Sequence, residues 1–192
     1  MNHFKLSTIG EVASMYSSDL KSIKTSLIWS KDDDLDLMVF YKTKEGGEGS
    51  VYSGDIPGGD FGELDSFPFI SCGDSGVDDE SDEVVSYEKV YFNDLSSFEK
   101  IYFVVTNYAE LILKKQINFN EYGGLLKISP TYSDLEKKDR YTMKLSSEER
   151  GDLLVLGKLD IGESIILIKN MNKVMTFKEF KEKIPGSKQL TL

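Results

Sequence analysis

The chain has 192 residues, 40% of them hydrophobic and 29% charged, with a formal net charge of −10 at pH 7. A single domain spanning 1–192 buries a core at this length without staples, and the carboxylate excess disfavours a nucleic-acid partner and favours cations. One cysteine, Cys72, and one histidine, His3, exclude an intrachain disulfide and argue against a Ser-His-Asp triad, a Cys-His dyad or a histidine-rich zinc site.

The first ten residues lack the apolar run of a secretory leader, and His3 falls in a terminus expected to be mobile. Residues 7–25 are serine-rich with scattered Ile9, Val12, Met15, Leu20 and Ile23, a pattern that fits a short helix or a leading strand. From Leu27 short β runs take over. Leu27-Ile28-Trp29 reads as a strand, and 34–41 alternates before turning continuously apolar. Residues 45–50 form a glycine turn, and Val51-Tyr52 begins a short strand. A Gly/Asp-rich tract runs on to Glu83, interrupted by Phe67-Pro68-Phe69-Ile70. Within it 58–62 reads as a turn, since Pro68 discourages the helix that a phosphate loop needs.

Residues 84–92 and 101–105 have the β-branched and aromatic content of strands. Two helical turns fit 109–116, with Gly123-Gly124 beyond them, and further strands are expected at 125–128, 141–145, 153–159 and 165–169. Thr176 and Glu179 have capping-box spacing, Phe177, Phe180 and Ile184 share one helical face, and Pro185-Gly186 ends that helix. Lys169, Lys173, Lys178, Lys181 and Lys183 are expected on a solvated helix face. The longest apolar runs fall far short of the ~20 residues of a membrane helix, so a cytoplasmic protein without a transmembrane segment is expected. The fold class expected is all-β: an antiparallel β-sandwich with a few short helices, one near the C-terminus. Trp29 should pack at the core or its rim, Cys72 should be small and semi-buried, and Tyr87, Tyr91, Tyr102 and Tyr108 should fill the sandwich.

Two acidic segments carry the chemistry. Asp32, Asp34 and Asp36 sit at every second position, which in a strand puts the carboxylates on one face about 6.6 Å apart. Leu35 and Leu37 then enter the core, and Asp33 points away from the other acids. Like charges so spaced repel unless neutralised, and calcium, which accepts six to eight oxygens, suits them. The second segment, 73–83, reads as a loop with two glycines and six acids. Asp74 closes the site from the opposite side, Glu83 binds next to the strand that follows it, and Asp79 or Asp82 completes the shell with carbonyls near Gly76 or Val77. Neither segment has EF-hand spacing: the sixth residue from Asp32 is Leu37 and from Asp74 is Asp79.

Trp29, Asp32-Asp33-Asp34-Leu35-Asp36, Gly73-Asp74-Ser75, 79–84, Asn93-Asp94-Leu95 and Lys100-Ile101-Tyr102-Phe103-Val104-Val105-Thr106 follow one another in an order and spacing that resembles the TerD-like family of tellurium-resistance and general stress proteins. The match is specific over 29–106 and weaker beyond. It departs from the family pattern in a shorter loop between Asp74 and Asp79, in Ser81 for Asp, in Ser75 for Asn, and in the first strand. The resemblance implies a β-sandwich that binds one or two calcium ions through Asp32, Asp34, Asp36, Asp74, Asp79, Asp82 and Glu83. It also implies action by binding rather than catalysis. A stress-response or tellurium-resistance role with a protein partner or a membrane-associated complex is the leading expectation. The alternatives are a Mg²⁺- or Mn²⁺-dependent hydrolase using the same carboxylates, which lacks an evident base outside the metal shell, and a structural module with solvated acidic loops.

Overall fold

A computed structural model describes residues 2–30, 33–78 and 85–192, without the side chains of Asp74, Ser75, Val77 and Asp78. In chain order the strands are β1 (Asn2–Lys5), β2 (Val12–Tyr16), β3 (Leu20–Trp29), β4 (Asp36–Thr43), β5 (Glu48–Val51), β6 (Gly62–Glu63), β7 (Ile70–Asp78), β8 (Val85–Phe92) and β9 (Phe98–Thr106). Helix α1 (Tyr108–Ile112) leads to β10 (Ile117–Asn118), β11 (Leu125–Tyr132), β12 (Asp139–Lys144), β13 (Arg150–Gly151), β14 (Leu153–Ile161) and β15 (Ile165–Met175). Helix α2 (Phe177–Lys183) follows. Among the described residues a seven-stranded sheet, β1-β12-β11-β3-β8-β7-β6, faces a six-stranded sheet, β2-β15-β14-β9-β4-β5. The pairings are antiparallel except β1 with β12, which is parallel. The all-β sandwich with short helices is as the sequence predicts.

Alternation builds the interior. In β3 Ile23, Thr25, Leu27 and Trp29 are buried while Lys24 is exposed, so the strand begins seven residues before the Leu27 at which apolar runs become obvious. Strand β4 is buried on both faces. Leu37, Val39 and Tyr41 enter the core between the sheets, and Met38 and Phe40 enter a second cluster outside the six-stranded sheet. Helix α2 covers that cluster with Phe180, whose ring meets Phe40 edge-on at 5.0 Å. Its capping box forms as the spacing predicts: Glu179 N donates to Thr176 Oγ1, and Thr176 N to the Glu179 carboxylate, both at 3.2 Å. No helix among the described residues is long and apolar enough to cross a membrane.

Of the two readings of residues 7–25, the strand is the one found, as β2 and the start of β3. Other expectations are corrected. His3 belongs to β1, with Nε2 3.1 Å from Thr142 Oγ1, so that terminus is tied to the sheet edge. Lys169 and Lys173 lie on β15, and only Lys178, Lys181 and Lys183 belong to α2. Lys181 is half-buried and donates to the carbonyls of Ser187 and Leu190, the first at 2.8 Å. Tyr87, Tyr91, Tyr102 and Tyr108 are half-buried on outer surfaces, and the tyrosines of the central core are Tyr41, Tyr122 and Tyr141.

Two corrections concern the acidic segments. Asp33, Asp34 and Leu35 are not strand, because β4 begins only at Asp36. The second segment is not a loop at its start: 70–78 is β7, paired along its length with β8. The ladder with β8 runs on through its glycines, and Gly73 (φ 137°) absorbs the register shift between Cys72 and Asp74.

Candidate metal centre

Trp29 ends β3 with its ring buried and its Nε1 donating to the carbonyl of Asp33 at 2.8 Å, which shapes the approach to β4. Leu35 and Leu37 are buried as the alternation predicts, even though the residues before Asp36 are irregular. Between them Asp36 pairs in register with Thr106 and accepts the backbone N–H of Tyr108, at the start of α1, at 2.8 Å. Asn107 caps that helix by accepting from Glu110 N at 3.0 Å and donates to the Tyr122 hydroxyl at 3.3 Å. Asp36 therefore sits at a fixed junction of β4, β9 and α1, whereas Asp34 is exposed one turn of chain before it.

From the opposite sheet comes Glu88. It shares strand parity with the buried Val90 and Phe92, so it points between the sheets. Its carboxylate accepts the backbone N–H of Leu37 and borders a cleft with Cys72, Ser53 and Asp55. Burial pushes Glu88 up to about 8, with the Leu37 N–H opposing and the charges of Asp36 and Asp34 adding to the rise. Burial likewise raises Asp36 to about 6, opposed by the Tyr108 N–H and assisted by Asp34. Three carboxyls thus lie within electrostatic reach of one another where the sheets meet.

The expected ligand set is placed only in part. Asp34 and Asp36 lie beside Glu88 in this electrostatic sense. Asp74 pairs in register with Lys89 and Gly76 with Tyr87, two strand positions of β7 rather than a loop that folds over an ion. The side chain of Asp74, and Asp32, Asp79, Asp82 and Glu83 altogether, lie outside the described residues. Among the described residues no three His, Cys, Asp or Glu side chains stand close enough together to hold a metal ion. Asp34, Asp36 and Glu88 supply hard oxygen donors of the kind calcium takes.

Glu88 is the residue the sequence reading passed over. A signal for it exists: in Glu88, Val90 and Phe92 a carboxylate occupies the apolar parity of a strand, and an acid there must be paired, protonated or ligating. Cys72 is half-buried as expected, and burial, aided by Glu88, pushes its thiol up to about 12, the opposite of an activated thiolate. Compared with protein-family models, with curated proteins and with solved structures, the chain finds no match in any of the three.

Proposed function

We propose that this protein is a calcium-binding β-sandwich of TerD-like type, which acts by binding rather than by catalysis, with the ion held by Asp36 and Glu88 together with Asp32 and the acidic side chains of 79–83. The observation that carries the reading is the Asp36–Glu88 junction: two carboxyls held on backbone N–H groups where the sheets meet, both raised above the ordinary carboxylate range, chiefly by burial and further by neighbouring acids. A divalent cation relieves both effects at once, which is the usual fate of buried like charges. The sequence adds support, since Asp32 directly precedes this junction and Asp79, Glu80, Asp82 and Glu83 stand between β7 and β8. The order and spacing of motifs over 29–106 supply the link to the stress and tellurium-resistance family.

One observation favours a purely structural reading. Asp36 and Glu88 already serve the backbone, each accepting one N–H that strand pairing leaves over. Calorimetric titration of EDTA-treated protein separates the two. Micromolar Ca²⁺ affinity with little response to Mg²⁺ is the expected result. Heat flow absent for both ions sinks the calcium reading and leaves the structural one. Tighter Mg²⁺ or Mn²⁺ than Ca²⁺ binding points instead to the hydrolase alternative.

A further inference from the structure

Five strands of the seven-stranded sheet, β1, β12, β11, β3 and β8, carry on their outer face a charge opposite to that of the chain. One row across it follows from the register: Lys5 beside Thr142, Thr142 beside Lys127, Lys127 beside Ser26, and Ser26 beside Lys89. The neighbouring row pairs His3 with Arg140 on one flank and Lys24 with Tyr91 on the other. On the other side of the first row Lys144 stands beside Leu125, Leu125 beside Ile28, and Ile28 beside Tyr87. Strand parity fixes this face as the outer one, since the alternate residues Ile23, Leu27, Leu126, Val90 and Tyr141 are buried between the sheets. Lys5, Lys24 and Lys144 are exposed, and Lys89, Lys127 and Arg140 half-buried.

Among the described residues no Asp or Glu occupies an outward position of β1, β12, β11, β3 or β8. A chain with 33 acidic and 23 basic residues has thus segregated six cations onto one five-strand surface, about 20 Å across at the usual strand spacing. Asp74 on β7, opposite Lys89, marks its edge.

We propose that this face docks the protein on an anionic lipid surface. Charge complementarity names a polyanion, and two features choose among polyanions. First, the surface is a sheet face with half-exposed Ile28, Leu125 and two tyrosines among the lysines, the mixture that rests at a headgroup boundary. Second, the tyrosine rings on which a nucleic-acid base could stack each have a lysine ammonium beside them, closely at Tyr87. The Lys89 ammonium lies 3.9 Å from the Tyr87 ring centroid, and that of Lys24 6.0 Å from that of Tyr91. The acids beyond this face do not forbid docking, because charges farther than a Debye length of ~8 Å are screened at physiological salt. The docking is independent of calcium.

The test is co-sedimentation of the full chain, in EDTA, with phosphatidylcholine vesicles that contain about one-third phosphatidylserine. Binding that vanishes with pure phosphatidylcholine and weakens with added salt is expected. The triple variant Lys5→Ala, Lys24→Ala, Lys144→Ala weakens it by roughly 100-fold, at about fivefold per lysine. A control triple with the same charge change elsewhere, Lys44→Ala, Lys173→Ala, Lys178→Ala, leaves it nearly intact. Absence of binding by the unmodified chain overturns the proposal, as does an equal loss in both triples. So does capture of polyuridine RNA, with the same lysine dependence, by a protein that ignores the vesicles.

Discussion

The carboxylate of Glu88, on one sheet, accepts the backbone N–H of Leu37, on the other. Leu37 is paired on one side with Val105 of β9, while β5 joins the other side of β4 only from Val39 onward. Glu88 therefore replaces the strand rung missing at that height, and keeps a carboxyl group, with its potential charge, between the sheets to do so.

That charge has a pH signature. In the folded chain Glu88 titrates at about 8 and Asp36 at about 6, against ordinary values of 4.5 and 3.8. Both pKa values are raised, so the folded state keeps protons that the unfolded state has released, and stability falls as pH rises through this window. The melting temperature in EDTA should drop by several degrees between about pH 5 and about pH 9. Glu88→Gln keeps an acceptor for the Leu37 N–H and removes the charge. It should flatten that slope and raise the melting temperature at the alkaline end. An unchanged slope in Glu88→Gln would show that the charge lies elsewhere.

Calcium should reverse the same slope. A ligand at 100 times its dissociation constant adds ~2.7 kcal/mol per site, so millimolar Ca²⁺ should raise the melting temperature most where Glu88 and Asp36 are ionised. Asp36→Asn and Glu88→Gln should each weaken calcium by at least about tenfold, as loss of one charged donor from a shared shell does. Asp33 spends its carbonyl on Trp29, and Asp33→Ala should leave calcium affinity within a few-fold. Isothermal titration of the three variants decides this. Equal losses in Asp33→Ala and Asp36→Asn would move the site away from the Asp36 junction.

Cys72 should be nearly inert. With its thiol raised to about 12, alkylation at neutral pH should run on the order of a hundredfold or more slower in the folded chain than in denaturant. A labelling rate equal in both states would contradict the burial described for it. Glu88→Gln should speed the folded-state reaction modestly, since Glu88 contributes to the rise.

Helix α2 offers a test of the second cluster. Thr176→Ala removes the cap and should cost about 1 kcal/mol. Phe180→Ala empties a position that is fully buried against Phe40 and should cost about 3–5 kcal/mol. At about 2–4 °C per kcal/mol for a chain this size, thermal melts distinguish them. If Phe180→Ala costs no more than Thr176→Ala, the helix is not part of the cooperative core.

What was legible in the sequence was whatever local chemistry decides. The Thr176 capping box, the apolar strand around Phe103 and the inward turn of Leu35 and Leu37 follow from spacing alone. What was not legible depends on a partner strand. Ile70–Asp78 carries the glycine and aspartate of a loop, yet the β8 ladder takes up its backbone groups and makes it a strand. The every-second-residue acids at Asp32–Asp36 look like a strand face, but the pairing of β4 with β9 begins only at Asp36 opposite Thr106, and Asp33 to Leu35 are not strand. Lys169 and Lys173 look helical beside the α2 lysines until the pairing of β15 with β14 separates them. Glu88 could be read from strand parity, but only once the attraction of the two acidic segments was set aside.

The edges of the sandwich have a consequence for synthesis. Strand β1 finds its partner in Asp139–Lys144 and β2 finds its own in Ile165–Met175. Both strands are thus made well before the strands they pair with, which lie more than a hundred residues further along the chain. Until then His3–Lys5 and Val12–Tyr16 have open backbone edges with no sheet to join, and pairings so distant in sequence are slow to close. Val12 and Tyr16 keep their side chains outside even after closure, so this segment stays an apolar, unpaired ribbon until Ile165–Met175 has been made.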